Sequence, residues 1–249
     1  MTTPVEVLNE AGKGRVVLLC EHASPRIPSE YGGLGLAEAD RLSHAVWDPG
    51  ARSLTLELSQ ALDAPVVAST VSRLVYDCNR PPEAASAMPV RSEQIVVPGN
   101  SGLTQTQRDA RAAAVYDPFC AAVAQVLDRR ALSTALVTVH SFTPVYHGQP
   151  RAVELGLLHD DDTRLADAML RHADLVPHRR VERNQPYGPE DGVTHSLKLH
   201  ALSRGLPNVM LEARNDLLGT SEQIAAMAED ILALLQPALN DISIREEVS

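Results

Sequence analysis

Nowhere in the 249 residues does an apolar run approach the roughly 18 that crossing a bilayer requires. The opening stretch MTTPVEVLNEAGKG has no basic segment followed by an apolar one, so no signal peptide is expected. Cysteine is scarce: Cys20, Cys78 and Cys120 are the only three, and none stands in CxxC spacing. That argues against a disulfide scaffold and for a reducing compartment. Basic residues are in deficit, 22 Lys and Arg against 32 Asp and Glu, for a formal net charge of −10. Such a balance argues against a nucleic-acid or anionic-membrane surface and leaves room for a local basic pocket. There is no internal repeat and no clear linker. What remains is a soluble cytoplasmic protein with one domain over residues 1–249 and an open oligomeric state. An apolar content of 44% allows a sizeable core.

Short apolar runs alternate with amphipathic stretches along the chain. Strands are expected at Arg15–Cys20, Pro65–Ser69, Leu74–Tyr76, Thr134–His140, Arg151–Leu158 and Pro207–Ala213. Helices are expected at about 37–45, up to Leu62, 104–130, 162–173, 194–204 and 221–235. Leu54, Leu58 and Leu62 form one apolar face of the second helix, with Asp48 as a candidate N-cap and Pro49 at its first position. Pro118 is expected to kink the long helix. This alternation implies an α/β fold, a single-domain three-layer sandwich around a mixed, mostly parallel sheet. Long loops at 81–102 and 184–192 have the length of binding loops or lids.

Four expected strands end in chemistry: His22 after the first, Asp77 to Arg80 after Leu74–Tyr76, His140, and Glu212. Parallel strands would bring these ends to one edge of the sheet, where α/β proteins bind ligands. The stretch Ser72–Arg80 holds Arg73, Asp77, Asn79 and Arg80 beside apolar residues. Buried unpaired charge is costly, so such a cluster needs an internal ion pair or a ligand. His22 and His140 suit a metal, with Asp48 or Glu21 as the acid, although no HExxH helix marks a zinc site by spacing. Each histidine could instead bond backbone at its strand end. Glu212 is placed to act as a general base or to pair with Arg214. Cys20 and Cys78 fit small apolar packing. The other histidines read as solvent or loop residues, with His195 placed for a supporting role.

In order, the runs EHASPRIP, WDPGA, SRLVYDCNRP, VTVHSFTPV, NQPY and LEARNDLL resemble the N-formylglutamate amidohydrolase family, across about residues 16 to 235. The resemblance implies a zinc-exopeptidase-like α/β fold. It implies Asn79 and Arg80 on the substrate carboxylate, Arg73 on the scissile carbonyl and Glu212 as general base. His22 and His140 fit the two histidine ligands of a zinc or other divalent ion. The exopeptidase pattern has a Glu three residues after the first His, but Pro25 stands there, so Asp48 in WDPGA takes the acidic role, with Glu21 as alternative. Tyr187 of the NQPY run, and Arg183 or Arg214 as a second cation, complete the expected substrate contacts.

The expected reaction is hydrolysis of an N-formyl or other N-acyl amino acid, similar to N-formylglutamate, to formate or another acid and the free amino acid. The rival readings are a metal-independent hydrolase using Cys20 beside His22, and a non-catalytic binder of acyl amino acids.

Overall fold

The computed structural model describes residues 3–130 and 134–247, the last five of them as backbone. Seven strands form one sheet: β1 Val5–Leu8, β2 Val16–Cys20, β3 Val66–Ser69, β4 Ala135–Phe142, β5 Leu155–Leu158, β6 Val181–Arg183 and β7 Asn208–Arg214. Their spatial order is β1-β3-β2-β4-β7-β5-β6. The four central strands β3, β2, β4 and β7 run parallel, while β1 and β5 pair antiparallel with their inner neighbours. The mixed, mostly parallel sheet between helices is therefore present.

Side-chain alternation divides the core in two. Val16, Leu18, Cys20, Val137, Val139, Val209 and Leu211 face one layer, made of helices α1 (Ala51–Leu62), α4 (Arg164–Arg171) and α5 (Ser221–Glu247). Val17, Leu19, Val67 and Leu136 face the other, made of α2 (Gln105–Arg111), α3 (Asp117–Asp128) and the loop over 71–88. Among the described residues no helix is long and apolar enough to cross a membrane.

Several local expectations change. Leu74–Tyr76 is not a strand: β3 stops at Ser69, and Ser72 organises a buried turn. Its hydroxyl donates to the Val46 carbonyl and accepts from Leu74 N, while Val75 N bonds the Ser72 carbonyl. A serine that satisfies local backbone groups competes with strand pairing. Residues 37–45 form only a 3-10 turn at Glu38–Asp40, because the segment has no apolar stripe; Leu42 is 73% exposed. The long helix runs from Gln105 to Asp128 through a π turn at Ala112–Tyr116, which ends just before Pro118 and absorbs its missing N–H. The expected strand at 151–158 begins only at Leu155, and the short edge strands β1 and β6 had no distinct sequence signal.

Asp48 is not the cap of α1. Gly50 holds that position with φ +81°, and a Cβ there would lie 2.4 Å from Leu218 Cβ, so the turn requires glycine. The Asp48 carboxylate is thereby free to turn toward the sheet edge, and its backbone N–H bonds the His22 carbonyl.

Candidate active site

The C-terminal edge of the four parallel strands opens into a cleft of about 380 Å³, a normal size for a small-molecule site. Its wall includes His22, Asp48, Arg73, Asp77, Asn79, Arg80, His140, Tyr187 and Glu212. The register explains the two residues at its floor. His140 and Glu212 are paired across β4 and β7, and both share the even-numbered face with Leu136 and Met210. Glu212 has no hydrogen-bond partner at Oε2 and is 5% exposed. Burial pushes its carboxyl up to about 7, with the imidazole of His140 pulling the other way and Asp48 adding to the rise.

Three ligand-type atoms converge. Asp48 Oδ2 lies 3.1 Å from His22 Nδ1 and 2.9 Å from His140 Nδ1, and the two Nδ1 atoms are 3.2 Å apart. The opposite ring nitrogens face carboxylates: His22 Nε2 is 2.7 Å from Asp77 Oδ1, and His140 Nε2 is 3.2 Å from Glu21 Oε2. The Asp77 carboxylate holds a proton on His22 Nε2 and turns its Nδ1 lone pair inward, as partners of metal-bound histidines do, while Glu21 stands at ion-pair distance from His140 Nε2 without a hydrogen bond to it. Two bare nitrogens and a carboxylate oxygen repel one another unless a cation or extra protons lie between them. Ligands about 2.0–2.1 Å from a tetrahedral zinc are separated by roughly 3.3 Å, so these spacings fit such an ion. The buried His22, Asp48 and His140 group can therefore hold a metal.

The charges around this group are coupled. Burial acts to raise the Asp48 and Asp77 carboxyls, but His22 and Arg73, with His140 at Asp48, hold both well below the usual range. Burial disfavours the His140 imidazolium, yet Glu21 and Asp48 raise its pKa. Arg73 lies between Asp48 Oδ1 (3.3 Å) and Asp77 Oδ2 (2.9 Å). Asp77 thus orients Arg73 and His22 together and also accepts Asn79 N at 2.9 Å.

The expected substrate residues separate on inspection. Arg80 and Tyr187 face the cleft; the Arg80 guanidinium donates to the Asn79 carbonyl at 2.9 Å and has no paired carboxylate among the described residues. The Asn79 side chain lines the cleft too, but donates to the Val193 carbonyl and accepts from Ser196 N, which ties down the segment leading into the helical turns at 195–204. Arg214 and Arg183 lie outside the cleft wall, where Arg214 pairs with Asp216 and Glu154, and Arg183 with Asp167 and His159. Each sits beside carboxylates of its own sheet edge, which were not apparent as neighbours from the sequence. Glu21 lies behind His140 and outside the converging ligand atoms.

Other histidines depart from the solvent-exposed reading. His159 and His200 are buried, and burial pushes the His200 imidazole down to about 4. His195 pairs with the Tyr116 hydroxyl at 2.8 Å and supports the wall behind Asn79. His44 bonds Glu93 at 2.9 Å and joins two rim segments, a contact no local pattern indicates. The loop at 184–192 reaches the site because Gly156 lets it approach β5: a Cβ there would lie 1.8 Å from the Gln185 carbonyl oxygen.

The sequence fits the profile of the N-formylglutamate amidohydrolase family over residues 14–218. The chain belongs to that family. As a member it is a hydrolase acting on an amide bond. The gene product Atu2144 from Agrobacterium tumefaciens is 51% identical, with 97% of each chain covered and a TM-score of 0.94. The N-formylglutamate amidohydrolase from Ralstonia eutropha JMP134 shares the fold at 19% identity, with 95% of this chain and 97% of that chain covered and a TM-score of 0.69. No curated protein sequence matches the chain at a significant level.

Proposed function

We propose that this family member hydrolyses an N-formyl or other N-acyl amino acid, similar to N-formylglutamate, at a divalent-metal centre held by His22, Asp48 and His140. The observation that carries the reading is Glu212, a buried carboxyl with an unpartnered oxygen beside the converging ligand atoms and a pKa near neutrality. Zinc suits two imidazoles and a carboxylate. A cation there supplies Lewis acidity, which polarises the amide carbonyl and acidifies water in the cleft.

The chain's own groups perform the rest. Arg80 binds the α-carboxylate, with its guanidinium held by the Asn79 carbonyl. Glu212 takes a proton from the attacking water as the new C–O bond forms, and returns it to the nitrogen as the C–N bond breaks. Arg73, braced by Asp48 and Asp77, stabilises the charge that develops on the carbonyl oxygen; one well-placed donor is worth roughly 3–4 kcal/mol. Tyr187 closes the wall near Glu212.

The test is metal content of the purified protein together with turnover of a panel of N-formyl and N-acetyl amino acids. About one equivalent of zinc and release of formate from at least one N-formyl amino acid are expected. A metal-free protein that binds the panel without turnover would overturn the proposal in favour of a binder. A thiol mechanism has poor support. Cys20 is fully buried, and burial, with Asp48 and Glu21 beside it, drives its thiol pKa far up, the reverse of a reactive cysteine. Thiol alkylation is therefore expected to leave activity within about twofold, while chelation abolishes it; the opposite pattern would restore the Cys20 reading.

A further inference from the structure

Two helical segments of the chain contain π turns, at Ala112–Tyr116 and Leu197–Ala201. Pro118 accounts for the first, but the second has no proline between Pro189 and Pro207 to account for it. Such turns are frequent at functional sites. Tyr116 closes the first turn and His195 stands two residues ahead of the second, and their side chains meet. The Tyr116 hydroxyl and His195 Nε2 are hydrogen-bonded at 2.8 Å, with the rings stacked at 5.9 Å. Tyr76 packs on Tyr116 at 5.2 Å, which makes a row of three rings.

That row brackets one dipeptide. The Tyr76 hydroxyl donates to the Arg80 carbonyl at 3.3 Å. Around His195, the Asn79 amide donates to the Val193 carbonyl and accepts from Ser196 N at 2.9 Å. The Asn79 carbonyl in turn receives the Arg80 guanidinium. Asn79, Arg80 and Val193 line the cleft, while Tyr76, Tyr116 and His195 stand behind it. Gripping a carboxylate through two parallel hydrogen bonds makes the placement of a guanidinium exacting.

We infer that Tyr116 and His195 are positioning residues: their contact fixes residues 193–196 against Asn79 and thereby aims the Arg80 guanidinium at the substrate α-carboxylate. The inference rests on the carboxylate role proposed for Arg80. Its test compares N-acetylglutamate with its α-carboxamide, N-acetylisoglutamine, by calorimetric titration of the metal-loaded protein. The two compounds differ only at the group that Arg80 binds. Turnover of N-formylglutamate gives KM and kcat beside the affinity ratio.

Tyr116→Phe keeps the ring and removes the hydroxyl. Because a small misplacement of a binding group is costly, it is expected to weaken the α-carboxylate compound about tenfold and the carboxamide less than about twofold. In turnover the loss falls on KM, with kcat held within about twofold. His195→Leu should match it. His195→Gln restores a partner for the hydroxyl and should recover the preference to within about threefold; the two His195 variants give the answer if Tyr116→Phe does not fold. Ser59→Ala is the comparison, since it removes a buried hydroxyl contact to the Ala64 carbonyl in the opposite helix layer. It should lower the melting midpoint without moving the ratio.

The inference is overturned by equal losses on both compounds, by no recovery in His195→Gln, or by the same selective loss in Ser59→Ala. A preference for the α-carboxylate that Tyr116→Phe and His195→Leu leave untouched removes the positioning role alone. No such preference in the unmodified protein overturns the Arg80 assignment together with it. Selective binding without turnover removes the hydrolase reading and leaves the positioning role standing.

Discussion

Glu212→Gln lowers kcat by about 10²–10⁴-fold, the range of a positioned general base, while affinity for the N-acyl amino acid changes little. The amide cannot accept the water's proton, yet it keeps the shape of a side chain buried against β4. Steady-state kinetics with titration calorimetry separate the two effects; full activity in the variant would remove Glu212 from the mechanism. The pH dependence has a defined sign. Glu212 works ionised, and burial places its pKa at about 7, with a cation in the neighbouring cluster lowering it. The rate therefore falls on the acid side with a midpoint at or below about 7, and Glu212→Gln loses that limb. In the metal-free protein the same raised pKa acts on stability. The folded state holds the proton more tightly than the unfolded chain, so this contribution is complete below the ordinary carboxyl value of 4.5 and is lost as pH rises through about 7.

Asp48→Ala has the second large effect. Its carboxylate touches both histidines and Arg73, so removal deletes one of the three converging atoms and leaves a guanidinium facing Asp77 alone. Breaking a buried ion pair from one side costs about 3–5 kcal/mol. Bound metal is expected to fall from about one equivalent to under a tenth, with activity lost and a lower melting midpoint. Elemental analysis and thermal denaturation read the two consequences. Glu21→Gln is the useful contrast: Glu21 faces the outer nitrogen of His140, so metal affinity weakens about 10–100-fold without loss of the site. Equal metal loss in both variants would make Glu21 a direct ligand.

The alternation of apolar runs and amphipathic helices was enough to specify the layers and the mostly parallel sheet, because strand and helix periods are written locally. The sequence also marked His22, His140 and Glu212, since a polar residue closing a buried run stands out by itself. Asp48 was visible as a candidate helix cap and, with Glu21 as the alternative, as the acidic partner of the two histidines; the choice stayed open because those partners lie 26 and 92 positions away. The sequence could not show that Arg183 and Arg214 are neutralised by neighbouring carboxylates. Which charges cancel is a property of distance, and distance between segments exists only once the chain has folded. The sequence by itself determined the fold class, the family and the residue types of the chemistry. The tertiary structure decided which carboxylate joins the histidines and which arginines are paired with carboxylates, because those choices depend on long-range contacts at one sheet edge.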